Sequence, residues 1–356
     1  MFYMSRVYRV VLRRGTCFSL ADEKTASYAT RDFGMTQQQR GRKMKKVILG
    51  FSILITVSTA QATPFTFTSL NDPYALQGYT YAMGINDNGQ VVGSGYSSDY
   101  TGNHGFVYSG GTFTTFKVPG SEHTLASGIN NLGQITGPYS SDDSGQGGFV
   151  YDGSNYTFLN NPGAYAGFTL ARGINNSGQV VGDYYDGTGT GHHGFWYSGS
   201  SYSPLDVPNA TLFTLARGIN NLGQVVGSYG DATSSHGFMY IDGTYVTLDD
   251  PNATDRSIGT QATGINDLGQ VVGHYGDATG IHGFLYDGHT YTTFNHPDAT
   301  GNTYLTGING RGQIVGYYYD GIGAHGFVAS PIPEPGVLWI FGLGLLGLIV
   351  ARRKSA

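Results

Sequence analysis

Five histidines of this chain stand in one recurring context: His104, His193, His236, His282 and His325 each precede Gly-Phe. A tyrosine lies seven to nine residues upstream of four of these triplets, at Tyr184, Tyr229, Tyr275 and Tyr318, and Tyr139 stands likewise before Gly147-Gly148-Phe149. Two residues after four of those tyrosines come Asp186, Asp231, Asp277 and Asp320. Aromatic faces beside carboxylate acceptors suit sugar rings and their hydroxyls, or a divalent cation such as Ca2+ bridging an acidic polymer. The same residues also have a structural use, in which Tyr packs between repeats and Asp starts turns. The histidines favour the structural use more strongly. One per copy keeps them apart instead of converging on an ion, and the second copy replaces its His with Gly147. No other cofactor or metal is indicated.

Catalytic patterns are scarce. There is no G-x-S-x-G elbow, H-E-x-x-H helix or phosphate-binding glycine loop, and no EF-hand spacing. Between residues 63 and 330 the single glutamate is Glu122, so a glycosidase on this chain would need two aspartates. Ser141-x-Asp143-x-Gly145 loosely resembles the Asp-box of sialidases, one match of a kind that a Ser-, Asp- and Gly-rich chain produces by chance.

The elements that position these residues are repeats. A Gly-Ile-Asn triplet begins at Gly84, Gly128, Gly173, Gly218, Gly264 and Gly307, a period of 43 to 46 residues. Each copy runs through Asn-x-x-Gly, a Gln-Val-Val-Gly-like strand, a variable loop, His-Gly-Phe, and a Tyr-Thr-Thr-Phe-like strand ended by Pro. Asn and Gly reach positive φ cheaply, so Asn-x-x-Gly reads as a hairpin turn, and Pro cannot continue a ladder as donor. Four short antiparallel strands at this period are the pattern of a β-propeller blade. The expected fold is therefore all-β, a six-bladed β-propeller with four-stranded antiparallel blades. The first outer strand, Phe65 to Leu70, precedes the first Gly-Ile-Asn, and the last His-Gly-Phe strand has none after it. Residues 65–70 are therefore expected to pair with 325–329 and close the ring. The repeated Gln after each turn is expected to satisfy backbone groups between blades.

Charge is segregated. Residues 63–330 hold five Lys/Arg against twenty Asp/Glu, a net charge of −15. Such a surface repels phosphate backbones and argues against nucleic acid. The single cysteine, Cys17, lies upstream, so neither disulfides nor thiolate metal sites are available to the repeats.

Both ends carry addresses. Met44-Lys45-Lys46, an apolar run to Val57 and Ala60-Gln61-Ala62 form a signal peptide over 44–62. The simplest reading starts translation at Met44, with 1–43 an artefact of a mis-called start; a long basic leader is the alternative. The repeat domain spans 63–330. Over 331–356 follow Pro333-Glu334-Pro335, an apolar run from Val337 to Val350, and Arg352-Arg353-Lys354. The bland reading is a C-terminal transmembrane helix, short for a bilayer and oriented by its basic end. In order and spacing, this tail closely resembles the PEP-CTERM sorting signal. That resemblance implies recognition by an exosortase through Pro333, Glu334 and Pro335, with Arg352 and Arg353 in the closing cluster, and a link to exopolysaccharide production. The repeats resemble extracellular HAF-type repeats, with His-Gly-Phe in place of His-Ala-Phe; that resemblance implies no activity.

The expected protein is exported and exosortase-sorted, sits in the cell envelope or outside it, and is held at least transiently by its tail. Its expected role is non-enzymatic, binding exopolysaccharide or a surface protein, or structural. The alternative is a polysaccharide-active hydrolase or lyase on the same fold, which requires two carboxylates gathered in one pocket against the repeat pattern.

Overall fold

The computed structural model describes residues 65–332, except 100, 142–144 and 190. The proposed start artefact, the signal peptide, and the sorting or transmembrane tail from 333 onward lie outside the described residues. Within them the chain is all-β, with one 3-10 turn at Tyr165–Gly167.

The fifth copy displays the unit. Strands Thr260–Ile265, Val271–Asp277, Gly280–Tyr286 and Tyr291–Phe294 form an antiparallel meander in sequence order. Ile265 faces Val271, Val271 faces Tyr286, and Tyr286 faces Tyr291. The hydrophobic effect explains the pattern. Both valines of the second strand and the Phe of His-Gly-Phe are wholly buried, as in most copies, and clusters form between successive copies. Val181 and Leu205 of the third copy, for instance, pack with Ala216 and Phe238 of the fourth. The architecture is β-propeller-like: the first strands line a common axial cavity and the later strands lie progressively outward. The second copy deviates, its first strand broken into His123–Thr124 and Gly128–Ile129.

The N-terminal strand Phe65–Leu70 pairs antiparallel with Ala324–Pro331, Leu70 opposite Gly326 and Phe65 opposite Pro331. That is the partner expected from the offset of the repeats. It gives the last meander its outer strand, and Phe65 and Phe67 pack with Phe294 and Phe327.

Two local features shape the axis. The Gly of Gly-Ile-Asn is where neighbouring first strands touch; a Cβ on Gly264 would sit 2.9 Å from the Gly307 Cα. Just before that Gly, five copies carry a bulge, as between Ala171 and Gly173 and between Ala216 and Gly218. A bulge re-aims one side chain, and here the extra residue lines the axial cavity.

The turns close the opposite end. In every copy the Asn Oδ1 accepts from the backbone two and four residues on, and its Nδ2 donates to the following Gln Oε1. The same Nδ2 donates to the Asn carbonyl of the next copy: Asn86 to Asn130, Asn130 to Asn175, Asn175 to Asn220, Asn220 to Asn266, and Asn266 to Asn309. Asn309 returns the series to Asn86, at 3.0 Å. The bridging group is thus Asn; Gln, expected to bridge copies, instead holds its own turn.

Candidate functional site

The variable loops do not share one mouth. In the third and fourth copies they line separate clefts, each closed by the end of the fourth strand and the connection to the next copy. One, about 510 Å³, is bounded by Asp186, Thr188, His193, Asp206, Thr211 and Phe213. The next copy's counterpart, about 390 Å³, contains His236, Asp249, Asp250 and Arg256.

Each cleft is built on a repeated trio. The His of His-Gly-Phe lies between the loop Asp and a polar residue at the end of the outer strand. His193 is 3.3 Å from Asp186 and 2.9 Å from Asp206. His236 is 3.4 Å from Asp231 and 2.9 Å from Asp249. His282 meets Asp277 at 3.2 Å and Asn295 at 3.2 Å. His325 lies 3.2 Å from Asp320, and its other ring nitrogen is 2.8 Å from Asn71 of the N-terminal segment. The first copy changes the design: Gly95 replaces Tyr, and His104 bonds the buried Asp72 at 2.6 Å and Ser97 at 2.9 Å. A Cβ at Gly95 would come within 2.9 Å of Asp72 Oδ2, so Gly makes room for that pair.

The tyrosines serve the trio as packing. Tyr184 stacks on His193 at 5.4 Å and Tyr229 on His236 at 5.1 Å. Tyr275 and Tyr318 lie against His282 and His325 at 5.4 and 5.5 Å. Tyr229, Tyr275 and Tyr318 are buried, so their ring faces are not offered to solvent. Tyr139 has no His; it packs on Phe158 and lines an apolar hollow of about 190 Å³ with Phe168. Burial raises the hydroxyl pKa of Tyr139, Tyr184 and Tyr275.

The loop carboxylates begin turns. The Thr188 backbone and hydroxyl donate to Asp186, and Thr233 and Thr279 do likewise to Asp231 and Asp277. Asp320 accepts from the Ile322 and Gly323 backbones. These bonds favour the ionised form. They lower the pKa of Asp186, Asp277 and Asp320, and side-chain and backbone bonds from Thr233 bring Asp231 to about 2. Asp250 is the exception. It is buried, one carboxylate oxygen has no partner, and burial raises its pKa. Among the described residues no group of three or more His, Cys, Asp or Glu side chains has the geometry to hold a metal ion.

The second partners Asp206, Asp249, Asn295 and Asn71 escaped the sequence reading, although each stands two residues before the Pro that ends its outer strand. A second cluster also escaped it. Around the axial cavity, the position before each Gly-Ile-Asn, bulged in five copies, carries Met83, Ser127, Arg172, Arg217, Thr263 and Thr306. Arg172 pairs with the buried Asp183 at 3.2 Å, and His192 approaches the other oxygen at 3.3 Å. Two of only five cations in the domain, at one aligned position, were the available signal.

The chain resembles several solved structures. A mutant lectin from Aleuria aurantia in complex with Fucα1-6GlcNAc has a TM-score of 0.45 at 13% identity, covering 73% of this chain and 99% of that one. A gluconolactonase from Xanthomonas campestris scores 0.44 at 13% identity, covering 76% and 90%. The Trypanosoma rangeli sialidase in complex with 2,3-difluorosialic acid scores 0.43 at 9% identity; 79% of this chain spans 57% of that one. Below 0.5, these scores assign neither a ligand nor a reaction to this chain. No curated protein matches it. One family model does match, the PEP-CTERM protein-sorting motif over residues 331–354. A chain that carries this motif is an exported, envelope-associated protein sorted by an exosortase.

Proposed function

We propose that the exported chain is a non-enzymatic binding protein of the cell surface or extracellular matrix, a six-bladed propeller closed by its N-terminal strand. Its ligand is exopolysaccharide, held in the clefts between copies. The 510 Å³ cleft around His193 carries this reading. Its volume accommodates one or two sugar rings. Carboxylate oxygens of Asp186 and Asp206 and the imidazole of His193 line it, with Phe213 as an apolar wall. His193 and the turn donors hold both groups in place, which favours hydroxyl recognition over reaction. The tail supports the setting, since a sorting motif of this kind goes with exopolysaccharide production by the resemblance described above.

The test is retention of matrix polysaccharide by the full chain, with Thr211→Trp as the cleft-blocking variant. Thr211 is exposed and lines the cleft, so the indole fills space without disturbing the core. Retention by the wild type and its loss in the variant support the reading. Equal retention by both, or none by either, overturns it.

A second reading, a polysaccharide hydrolase or lyase, is favoured by one observation. Burial raises the pKa of Asp250, the direction a general acid needs, and Asp250 shares a cleft with a second carboxylate, Asp249. Release of new chain ends from polysaccharide by the wild type, abolished in Asp250→Asn, would establish it over the binding role.

A further inference from the structure

We infer that the axial cavity beside Arg217 is a binding site for a small anion, of halide to carboxylate size, walled by Arg217 and Arg172. The site is separate from the clefts and does not depend on the glycan reading. The third and fourth copies differ at this site. In both, an arginine occupies the bulged position and lines a cavity of about 70 Å³. In the third copy the second strand supplies Asp183, opposite Leu170, and Arg172 bonds it. In the fourth copy the equivalent position, opposite Leu215, is Ser228. Ser228 is wholly buried, and its hydroxyl has no partner among the described residues. The counter-ion that Arg172 enjoys is therefore missing for Arg217.

Nothing nearby replaces it. The Arg217 Nε is buried without a hydrogen-bond partner, and among the described residues Arg217 makes no ion pair. Asp183 is the one carboxylate whose charge reaches it, and Asp183 is already bonded to Arg172 and His192. The other neighbours are neutral. Burial first, then the charge of Arg217, bring His274 down to about 3, and its Nδ1 also lacks a partner. Burial likewise raises the Tyr317 hydroxyl pKa and keeps it protonated. Burial and the charge of Arg172 pull Arg217 itself to about 10, still cationic at neutral pH. Arg217 is partly buried, with its Nε enclosed and the residue lining the cavity; a cation held there without a counter-ion is disfavoured, whereas one placed beside an anion forms short, charge-assisted hydrogen bonds. The cavity's volume admits a halide, formate or acetate and excludes a sugar ring.

The test compares the thermal midpoint of the full chain in bromide or acetate with that in a bulky sulfonate of equal ionic strength. The expected result is a midpoint that rises and saturates with the small anion, and an anomalous bromide peak between Arg172 and Arg217 in crystals. A response to bromide alone assigns a halide site and to acetate alone a carboxylate site; both support the proposal. Two variants keep it falsifiable. Arg217→Met installs the side chain that Met83 already places at the equivalent position, and removes the bromide peak. Ser228→Asp installs the carboxylate of the third copy, and weakens the anion response at least about tenfold by supplying the charge internally. A wild-type midpoint unmoved by either anion, a bromide response without a bromide peak at the arginines, or a Ser228→Asp response equal to the wild type overturns the proposal.

Discussion

The two ends of the axial cavity are built from the same strands and solve opposite problems. At the turn end, all six copies carry the same residue, Asn, and each side chain satisfies its own turn and the carbonyl of the next copy. At the other end the aligned residues differ, and polar groups are left over: Arg217 Nε, Ser228 Oγ and His274 Nδ1. Identity around a ring lets each member serve its neighbour, so nothing remains for a ligand. Divergence leaves donors without partners, and that is where binding chemistry becomes available. The loops follow the same rule, since the strand-end member of the trio is Asp in the third and fourth copies and Asn in the fifth and sixth.

Five outcomes would sharpen or break this contrast. The largest concerns Asp183. Converting it to Asn strands Arg172 beside Arg217 and is expected to cost about 3–5 kcal/mol, read by chemical denaturation. A loss under 1 kcal/mol would mean that the arginines do not depend on it. Next is Asn220→Ala at the turn end. It removes bonds to Leu222, Gln224 and the Asn266 carbonyl, for an expected loss of about 2–4 kcal/mol. If the turn end tolerated this change, the interlocked ring would not be the scaffold described.

His274→Phe has the opposite sign. It deletes an unpartnered ring nitrogen while keeping an aromatic ring against Tyr304, 4.9 Å away, and is expected to leave stability unchanged or raise it by about 1 kcal/mol. Clear destabilisation would reveal a bond to His274 that the account omits. The fourth outcome is a pH dependence confined to the loop side. Burial alone would lower the pKa of His193, but the bonds and charges of Asp206 and Asp186 override it and raise it above 6.5. A raised folded-state pKa means that the unfolded chain loses its proton first as pH rises. The contribution of His193 is therefore complete below 6.5 and lost as pH climbs through the raised value. The stability difference between wild type and His193→Asn should shrink across that interval; a pH-independent difference would contradict it. The smallest effect belongs to Leu268→Glu at a turn tip, where an exposed side chain supports nothing and the change should stay within about 0.5 kcal/mol.

Much of the architecture was legible in the chain because repetition encodes it. The Asn-x-x-Gly turns have their Gly at φ 72 to 80° in all six copies, and the offset of Phe65–Leu70 points to its pairing with the last His-Gly-Phe strand. The site was less legible, for physical reasons. Tyr229, Tyr275 and Tyr318 share their alignment with solvent-facing loops, yet their rings are buried against His, because a His held between two polar groups offers an aromatic face for packing. The partners Asp206 and Asp249 lie 13 residues beyond their histidines and meet them only through strand pairing. Arg172 and Arg217 were visible as letters, but only the bulge before Gly-Ile-Asn aims them at the axis.

The claim that binding belongs to the divergent side and not to the turn side has one direct test, equilibrium binding of purified matrix polysaccharide to the full chain and two variants. The account predicts that Thr211→Trp in the cleft beside His193 abolishes binding while Leu268→Glu at the turn end leaves it unchanged. Loss of binding in Leu268→Glu with retention in Thr211→Trp would contradict it.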